Sequence, residues 1–155
     1  MTIKVDGIVE AEKKLLDLRS KKVAGFTTGL AKAGYFLLSK SQELVPVDTG
    51  ALKSSAYVKV NGQEIKDSES GIISRTLGII SGWLSKLRRK PVSDSEIASP
   101  PIELEVGYTQ HYAIYVHENL EANHPNGGEA KFLEKPAREY RGQMKDIVLK
   151  EVEKA

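Results

Sequence analysis

Apolar residues recur at steps of three and four along the first part of the chain, which is the spacing of one face of an α-helix. The first such series starts at Ile8, and a longer one ends at Leu44. Pro46 stops the pattern, because the residue before a proline is pushed out of the α region. The sequence therefore predicts helical structure up to Val45, as two helices or as one rod kinked near Ser20.

Two glycines interrupt the second helical series. Gly25 and Gly29 each weaken a helix by up to about 1 kcal/mol relative to alanine. They lie four residues apart and therefore on the same face of the helix. We expect another backbone to approach closely at this face.

Strands are predicted in the middle and late parts of the chain, where apolar and polar residues alternate. Residues 56–60 and 102–108 show this pattern, and the run from Tyr112 to Glu118 is also rich in β-forming residues. An apolar stripe from about Phe132 to Glu153 predicts a C-terminal helix, in which Pro136 is tolerated in the first turn. The expected fold is α+β: N-terminal helices, a small antiparallel β-sheet with a long helical insertion, and a C-terminal helix packed on the sheet.

Residues 61–101 form the unusual stretch, because a structureless loop of that length is improbable inside a compact domain. We interpret it as an amphipathic helical insertion, an assembly arm within a single domain of residues 1–155, since an exposed apolar stripe demands a partner. The alternatives are that its Ile72-Ile73 and Ile79-Ile80 pairs lie in strands, or that the helix covers the sheet of its own domain. Its candidate partner interface consists of Ile73, Leu77, Ile80, Trp83, Leu84 and Leu87. A candidate contact with DNA phosphates, or alternatively a solvated helix end, consists of Lys86, Arg88, Arg89 and Lys90.

Composition restricts the chemistry further. Lysine and arginine number 23 against 21 acidic residues, which is too balanced to indicate a nucleic-acid binder. The absence of cysteine excludes disulfides, thiolate nucleophiles and cysteine zinc sites. Without an apolar signal region or an apolar run of about 20 residues, we expect a soluble protein with no membrane span.

No catalytic or metal-binding pattern emerges from the sequence. His111 and His117 are six residues apart, about 20 Å on the predicted strand and too far to share an ion. Together with His124 they are expected to be surface or packing residues. Neither a Gly-x-Ser-x-Gly nucleophile motif nor a glycine-rich phosphate loop is present. We therefore expect no enzymatic activity, no metal and no cofactor.

The run Pro46-Val47-Asp48-Thr49-Gly50-Ala51-Leu52 follows the predicted helix. An Asp or Thr ahead of Ala-Leu-Lys is a helix N-cap arrangement, in which a side-chain oxygen accepts an orphan N–H of the first turn. The sequence predicts a tight turn that opens a short helix through Ser54. A structural role for Asp48 and Thr49 is sufficient to explain the run.

Three segments together resemble the tail-completion proteins of long-tailed bacteriophages, which join head to tail and are often labelled neck or minor capsid proteins. They are Leu44–Ser55 with its Val-Pro-Val-Asp-Thr-Gly-Ala-Leu run, Val106–Tyr108 leading into Tyr112–Glu118, and Ala130–Leu133 before the last helix. The likeness covers most of the chain outside residues 61–101. The family-pattern positions, interpreted as packing and turn determinants, are Pro46, Asp48, Thr49, Gly50, Leu52, Tyr112, Tyr115, His117, Phe132 and Leu133.

The resemblance implies a ring-forming α+β protein of the virion neck, hexameric by family analogy and assembled in the bacterial host cytoplasm. Implied partners are further copies of the chain, head-side connector or adaptor proteins, and tail terminator or tail tube proteins. Packaged DNA is a candidate for non-specific electrostatic contact. Catalysis, a cofactor and a membrane are not implied. The alternatives are another connector protein such as a tail terminator, a small nucleic-acid-binding module, and a small hydrolase.

Overall fold

The computed structural model describes residues 8–65 and 102–155, and of Ile8 and Val9 the backbone alone. In chain order the elements are α1 Ile8–Leu44, α2 Ala51–Ser54, β1 Ala56–Val60, β2 Gln63–Glu64, β3 Leu104–Tyr108, α3 Ala113–Glu118, α4 Glu134–Glu139 and α5 Arg141–Lys154. The α+β class predicted from the sequence is confirmed. None of the helices within these two ranges is both long and apolar enough to cross a membrane.

One continuous helix forms the centre of the fold. α1 runs without a break from Ile8 to Leu44, which settles the choice between two helices and one in favour of one. It ends where the proline rule predicts, and the Val45 N–H still donates to the carbonyl of Ser41 at 3.0 Å. A helix of this length is about 55 Å long.

The sheet packs on one side of α1. Its strand order is β2-β1-β3, and both pairings are antiparallel, with Val58 opposite Val106. Gly34 of α1 leaves room for this contact, because a Cβ there would lie 2.8 Å from side-chain atoms of Leu104 and Val58. Ala31, Val60 and Ile65 form a buried cluster beside it.

The C-terminal helix packs on α1, and this corrects the expectation that it covers the sheet. α5 runs antiparallel to α1, so Gly29 faces Val148 and Gly25 faces Glu151. Cβ atoms on these glycines would lie only 2.8 Å from the Val148 Cα and 2.7 Å from the Glu151 carbonyl oxygen. The close approach predicted from the spacing of Gly25 and Gly29 is therefore confirmed, and the backbone that approaches α1 there is that of α5.

Two further expectations about elements were wrong. The predicted strand from Tyr112 to Glu118 is the short helix α3, since β1 has β2 and β3 on its two sides and the chain turns away after Thr109. The predicted terminal helix is divided at Tyr140, whose ψ of 13° separates α4 from α5. Pro136 lies in the first turn of α4, as predicted.

The insertion begins later than expected. Asn61–Ile65 form the tight turn, strand β2 and a buried isoleucine, so these residues belong to the sheet and not to the insertion. The candidate interface and the candidate DNA contact lie outside the described residues: Ile73, Leu77, Ile80, Trp83, Leu84, Leu87, Lys86, Arg88, Arg89 and Lys90.

Candidate functional site

The three sequence segments that carry the family resemblance converge at the carboxyl end of α1. Val45, Leu52 and Phe132, from distant parts of the fold, form a buried cluster. Leu44, Tyr108, Tyr112, Ala113, Val116 and Leu133 pack around it. A pattern that is dispersed along the sequence is thus brought together by the fold.

Phe132 is the centre of this cluster and is 1% exposed. The rings of Tyr108 and His117 meet it edge-on, with centroid separations of 5.2 and 4.9 Å. The Tyr108 hydroxyl shares a 2.8 Å hydrogen bond with the fully buried Ser41 of α1. Burial raises the pKa of Tyr108 above its ordinary value. This packing ties β3 to α1 and fixes the surface that the surrounding residues present.

His117 has a structural task that its sequence position does not reveal. Its Nε2 atom lies 3.3 Å from the backbone N of Glu134, at the start of α4, and accepts that orphan N–H. Nε2 therefore carries no proton, and Nδ1–H donates to the Glu118 carboxylate at 2.8 Å. The imidazole acts as a cap supplied by another helix, and it holds α3 against the beginning of α4.

An ion-pair cluster reinforces the same junction. The Lys131 ammonium contacts the carboxylates of both Glu118 and Glu134, and its backbone N–H donates to the His117 carbonyl at 2.7 Å. Hydrogen bonds from Lys131 and then His117 lower the pKa of Glu118, and the bond from Lys131 lowers the pKa of Glu134. Lys131 adopts a left-handed φ of 58°, a conformation that costs about 1–3 kcal/mol and persists only where its surroundings impose it.

The predicted cap at Asp48 is not formed. Gly50, with a φ of 78°, occupies the N-cap position of α2, and its carbonyl accepts the Ser54 N–H at 3.0 Å. Thr49 Oγ1 lies 3.4 Å from the Ala51 N, which is a weak contact. Asp48 is exposed and makes no side-chain hydrogen bond to any residue within 8–65 or 102–155. The left-handed glycine makes the turn, and the Asp48 carboxylate is not needed for it.

A cleft of about 450 Å³ opens beside the cluster. One wall is the turn from Pro46 to Gly50, the other is the loop from Asn123 to Gly127, and Tyr112 and Val116 lie between them. His124 lines this cleft, and its Nε2 atom is buried without a hydrogen-bond partner in the described part of the chain. A buried polar atom without a partner is costly, so this nitrogen favours a ligand or partner group that supplies one.

The second wall is held by a backbone contact at Gly128. The Glu129 N–H donates to the Leu44 carbonyl at 2.8 Å, at the end of α1. Gly128 has a φ of 93°, and a Cβ there would lie 2.4 Å from the Cα of Pro46. The positive φ and the close contact both require glycine at position 128, whereas nothing lies within 4 Å of the Cβ position of the neighbouring Gly127. The sequence predicts only a loop at the double glycine, because spacing does not encode its contact with the Val-Pro-Val turn.

Beside the cleft, α3 exposes apolar side chains. Ala113 and Val116 face the cluster, whereas Ile114 is 65% exposed and Tyr115 is 74% exposed. Leu120, just after the helix, is 75% exposed. We call Ile114, Tyr115 and Leu120 the α3 face. The family pattern predicts a packing role for Tyr115, whereas within the described part of the chain its side chain is left largely open to solvent.

Nine of the ten family-pattern positions therefore divide into two groups, and the tenth, Tyr115, lies on the exposed α3 face. Leu52, His117, Phe132 and Leu133 build the cluster or its cap, and Pro46, Asp48, Thr49, Gly50 and Tyr112 line the cleft. In residues 8–65 and 102–155 there is no group of three His, Cys, Asp or Glu side chains arranged to hold a metal ion. Comparisons of the chain with protein-family models, curated proteins and solved structures found no match.

Proposed function

We propose that this chain is a structural subunit of a tailed-bacteriophage virion, which forms a ring in the neck that joins the DNA-filled head to the tail. The observation that carries the proposal is the convergence of the three motif segments on one cluster and its cleft. Every residue of that cluster comes from one of the three segments, as expected if they form one structural unit. The role is one of assembly, without catalysis or a cofactor.

The exposed groups at this site suit an assembly role. A connector subunit needs faces for its neighbours, and exposed apolar clusters are typical of surfaces that a partner covers. Here the α3 face lies beside a cleft whose rim carries the exposed carboxylate of Asp48. An apolar face next to directional polar groups is the usual composition of a specific protein interface.

The site is also rigidly supported. The hydrogen bond from Glu129 to Leu44 holds the second wall of the cleft at the end of α1, and the His117 cap and the Lys131 ion pairs hold α3 against the start of α4. A surface held in advance loses less conformational entropy when a partner binds. We propose head-side connector or adaptor proteins on one side of the ring and tail terminator or tail tube proteins on the other. Any contact with packaged DNA would be electrostatic, through Lys86–Lys90.

The test uses a phage whose genome encodes this chain. In a mutant that lacks the gene, filled heads and separate tails should accumulate, and the wild-type chain supplied in trans should restore joined particles. Image averages of particles labelled on the chain should place it as a closed ring at the neck. Its appearance as single copies or throughout the shell would refute the proposal.

Two alternatives give different results in the same experiments. A tail terminator would label purified tails in the absence of heads. A nucleic-acid-binding module would leave joining intact and would instead show DNA retention that falls steeply with salt.

A further inference from the structure

The cleft beside the Phe132 cluster contains two polar groups that have no partner in the described chain. The Asp48 carboxylate is exposed at its rim and makes no hydrogen bond or ion pair with the described residues. His124 Nε2 is buried in the wall formed by the loop and likewise has no hydrogen-bond partner there. In the tautomer with its proton on Nδ1, this nitrogen is an acceptor. The cleft thus offers a carboxylate at its rim and an unsatisfied acceptor in its wall.

The charged residues around the cleft leave an excess of carboxylate. The walls and their flanks, residues 44–54 and 112–135, carry five acidic residues and three lysines: Asp48, Glu118, Glu121, Glu129, Glu134, Lys53, Lys131 and Lys135. Two of the lysines are already paired, Lys131 with Glu118 and Glu134, and Lys135 with Glu129. Two carboxylates, those of Asp48 and Glu121, and one lysine therefore remain outside these ion pairs.

The remaining lysine does not neutralise the cleft. Lys53 lines a different cleft, between α1 and β1. Apart from His124, Asp48 is the one acidic or basic side chain among the described residues that line the Phe132-side cleft. A cation that enters therefore meets a carboxylate without displacing an ion pair, whereas an anion meets that carboxylate with no cation to offset it. The electrostatic preference of the cleft is for a positive group.

Much of the remaining lining is apolar. Pro46, Val47 and Leu52 contribute to it from the turn, and Tyr112 and Val116 contribute from α3 and the residue before it. The volume of about 450 Å³ lies within the range of about 300–1,000 Å³ that is usual for ligand pockets. A long basic side chain can lay its aliphatic stem along apolar surface and keep its charged head in a polar place. Lysine and arginine have this form.

We propose that the cleft receives an arginine side chain from an extended segment of a partner protein, and that the Asp48 carboxylate binds its guanidinium group. A guanidinium group donates two parallel hydrogen bonds to a carboxylate and has donors left for further acceptors such as His124 Nε2. It is also less strongly hydrated than an ammonium group and stacks on aromatic rings, which Tyr112 supplies. These properties favour arginine over lysine. The inference rests on the proposed function, because it gives the chemistry of a neck partner at this cleft.

An NMR titration of the full chain with short peptides tests this inference. The probe is acetyl-Gly-Arg-Gly-amide, and its matched control carries citrulline, which has nearly the shape of arginine and no charge. At neutral pH the arginine peptide should bind with a Kd of about 1 mM and shift the backbone amides of residues 47–50 and 123–127. The citrulline peptide should bind about tenfold more weakly, because charge-assisted hydrogen bonds are about twice as strong as neutral ones.

Three variants assign the preference to Asp48. Asp48→Asn keeps the size of the side chain and removes its charge, so the arginine peptide should bind about tenfold more weakly and no better than the citrulline peptide. Asp146→Asn is the matched control, because Asp146 is an exposed carboxylate of α5 outside the cleft lining, and it should bind both peptides like the wild type. K86Q/R88Q/R89Q/K90Q removes the basic cluster of the chain itself and should also bind like the wild type. Circular dichroism verifies that each variant is folded.

The inference is overturned if no amide shifts up to about 20 mM peptide, if the two peptides bind the wild type alike, or if Asp48→Asn keeps the preference for arginine. Tighter binding of acetyl-Gly-Asp-Gly-amide would indicate an anion site, and equal binding of acetyl-Gly-Lys-Gly-amide would remove the preference for arginine; both overturn it. Binding only by K86Q/R88Q/R89Q/K90Q would make the chain's own basic cluster the occupant and would overturn the assignment to a partner.

None of these outcomes decides where the chain lies in the particle, which imaging determines. Conversely, a chain absent from the neck would refute the proposed function and would leave the preference for arginine at Asp48 intact.

Discussion

Replacing Gly128 with alanine tests the contact that holds the second wall of the cleft. The added Cβ would lie 2.4 Å from the Pro46 Cα, 2.5 Å from the Pro46 N and 2.8 Å from the Val45 carbonyl carbon. All three are backbone atoms, which cannot rotate away as a side chain can. The loop must therefore move by about 1 Å to restore a normal carbon–carbon separation.

The expected loss of stability has two parts. A left-handed backbone costs an L-residue about 1–2 kcal/mol, and overpacking in a fixed environment adds about 1–3 kcal/mol. Gly127→Ala is the matched control, because Gly127 has a similar φ of 87° and nothing within 4 Å of its Cβ position. Alanine restricts the unfolded chain equally in both variants, so that effect cancels. Gly128→Ala should thus be less stable than Gly127→Ala by about 1–3 kcal/mol.

Urea unfolding of both variants measures this difference, provided that the slopes of the transitions agree. Hydrogen exchange adds a local measurement: the Glu129 amide, which donates to Leu44 at 2.8 Å, should lose protection in Gly128→Ala and keep it in Gly127→Ala. Equal destabilisation in the two variants, with the Glu129 amide still protected, would refute the backbone contact.

Three other predictions have distinct expected outcomes. Asp48→Ala should change the free energy of unfolding by less than about 0.5 kcal/mol while it weakens particle joining, because the carboxylate is exposed; a large shift in melting would restore a structural role. Gly29→Ala should destabilise by about 1–3 kcal/mol against the α5 backbone, whereas Gly142→Ala, in open space, should stabilise by up to about 1 kcal/mol; equal signs in urea would contradict this. Tyr108→Phe should lower the free energy of unfolding by about 1 kcal/mol, because it removes the hydrogen-bond partner of buried Ser41. The raised pKa of Tyr108 contributes stability that is fully present below its ordinary pKa of 10.0 and is lost as the pH rises, so Tyr108→Phe should also lose less stability than the wild type above pH 10.0. An unchanged dependence of stability on alkaline pH would exclude this role.

The periodicity of apolar residues correctly predicted the elements whose apolar pattern is continuous along the sequence. The helical pattern up to Val45, the strand at residues 56–60 and the close approach at Gly25 and Gly29 are all present, and the strand predicted at residues 102–108 is present over residues 104–108. The strand predicted from Tyr112 to Glu118 was wrong because a short apolar segment suits a strand and a buried helix equally. The two residues of this segment that face the cluster, Ala113 and Val116, are three positions apart, as on one side of a helix. The β propensity of the segment outweighs this spacing when the sequence is interpreted alone.

The sequence contains the residues of the motif, but it does not show which contacts they make in the fold. Asp48 matches the composition of an N-cap, and the turn is made by a left-handed Gly50 instead. The cap contributed by His117 crosses from one helix to another, so no local spacing encodes it. The cleft depends on Gly128 meeting Pro46 across 82 positions of sequence. Contacts of this kind are set by tertiary geometry, and single-sequence patterns carry little information about them.

The two ends of the longest connection, residues 66–101, lie at the same place in the domain. The chain departs after Ile65 and returns at Ile102, and both isoleucines pack on the same small cluster with Ala31 and Val60. Because Ile65 and Ile102 are held together in this cluster, loop-closure entropy alone would change the free energy of unfolding by only about 0.6 kcal/mol for each doubling of the intervening length. We therefore propose that residues 66–101 can be shortened or exchanged while β1 and β3 keep their register. Such a scaffold can acquire new partners without redesign of its core.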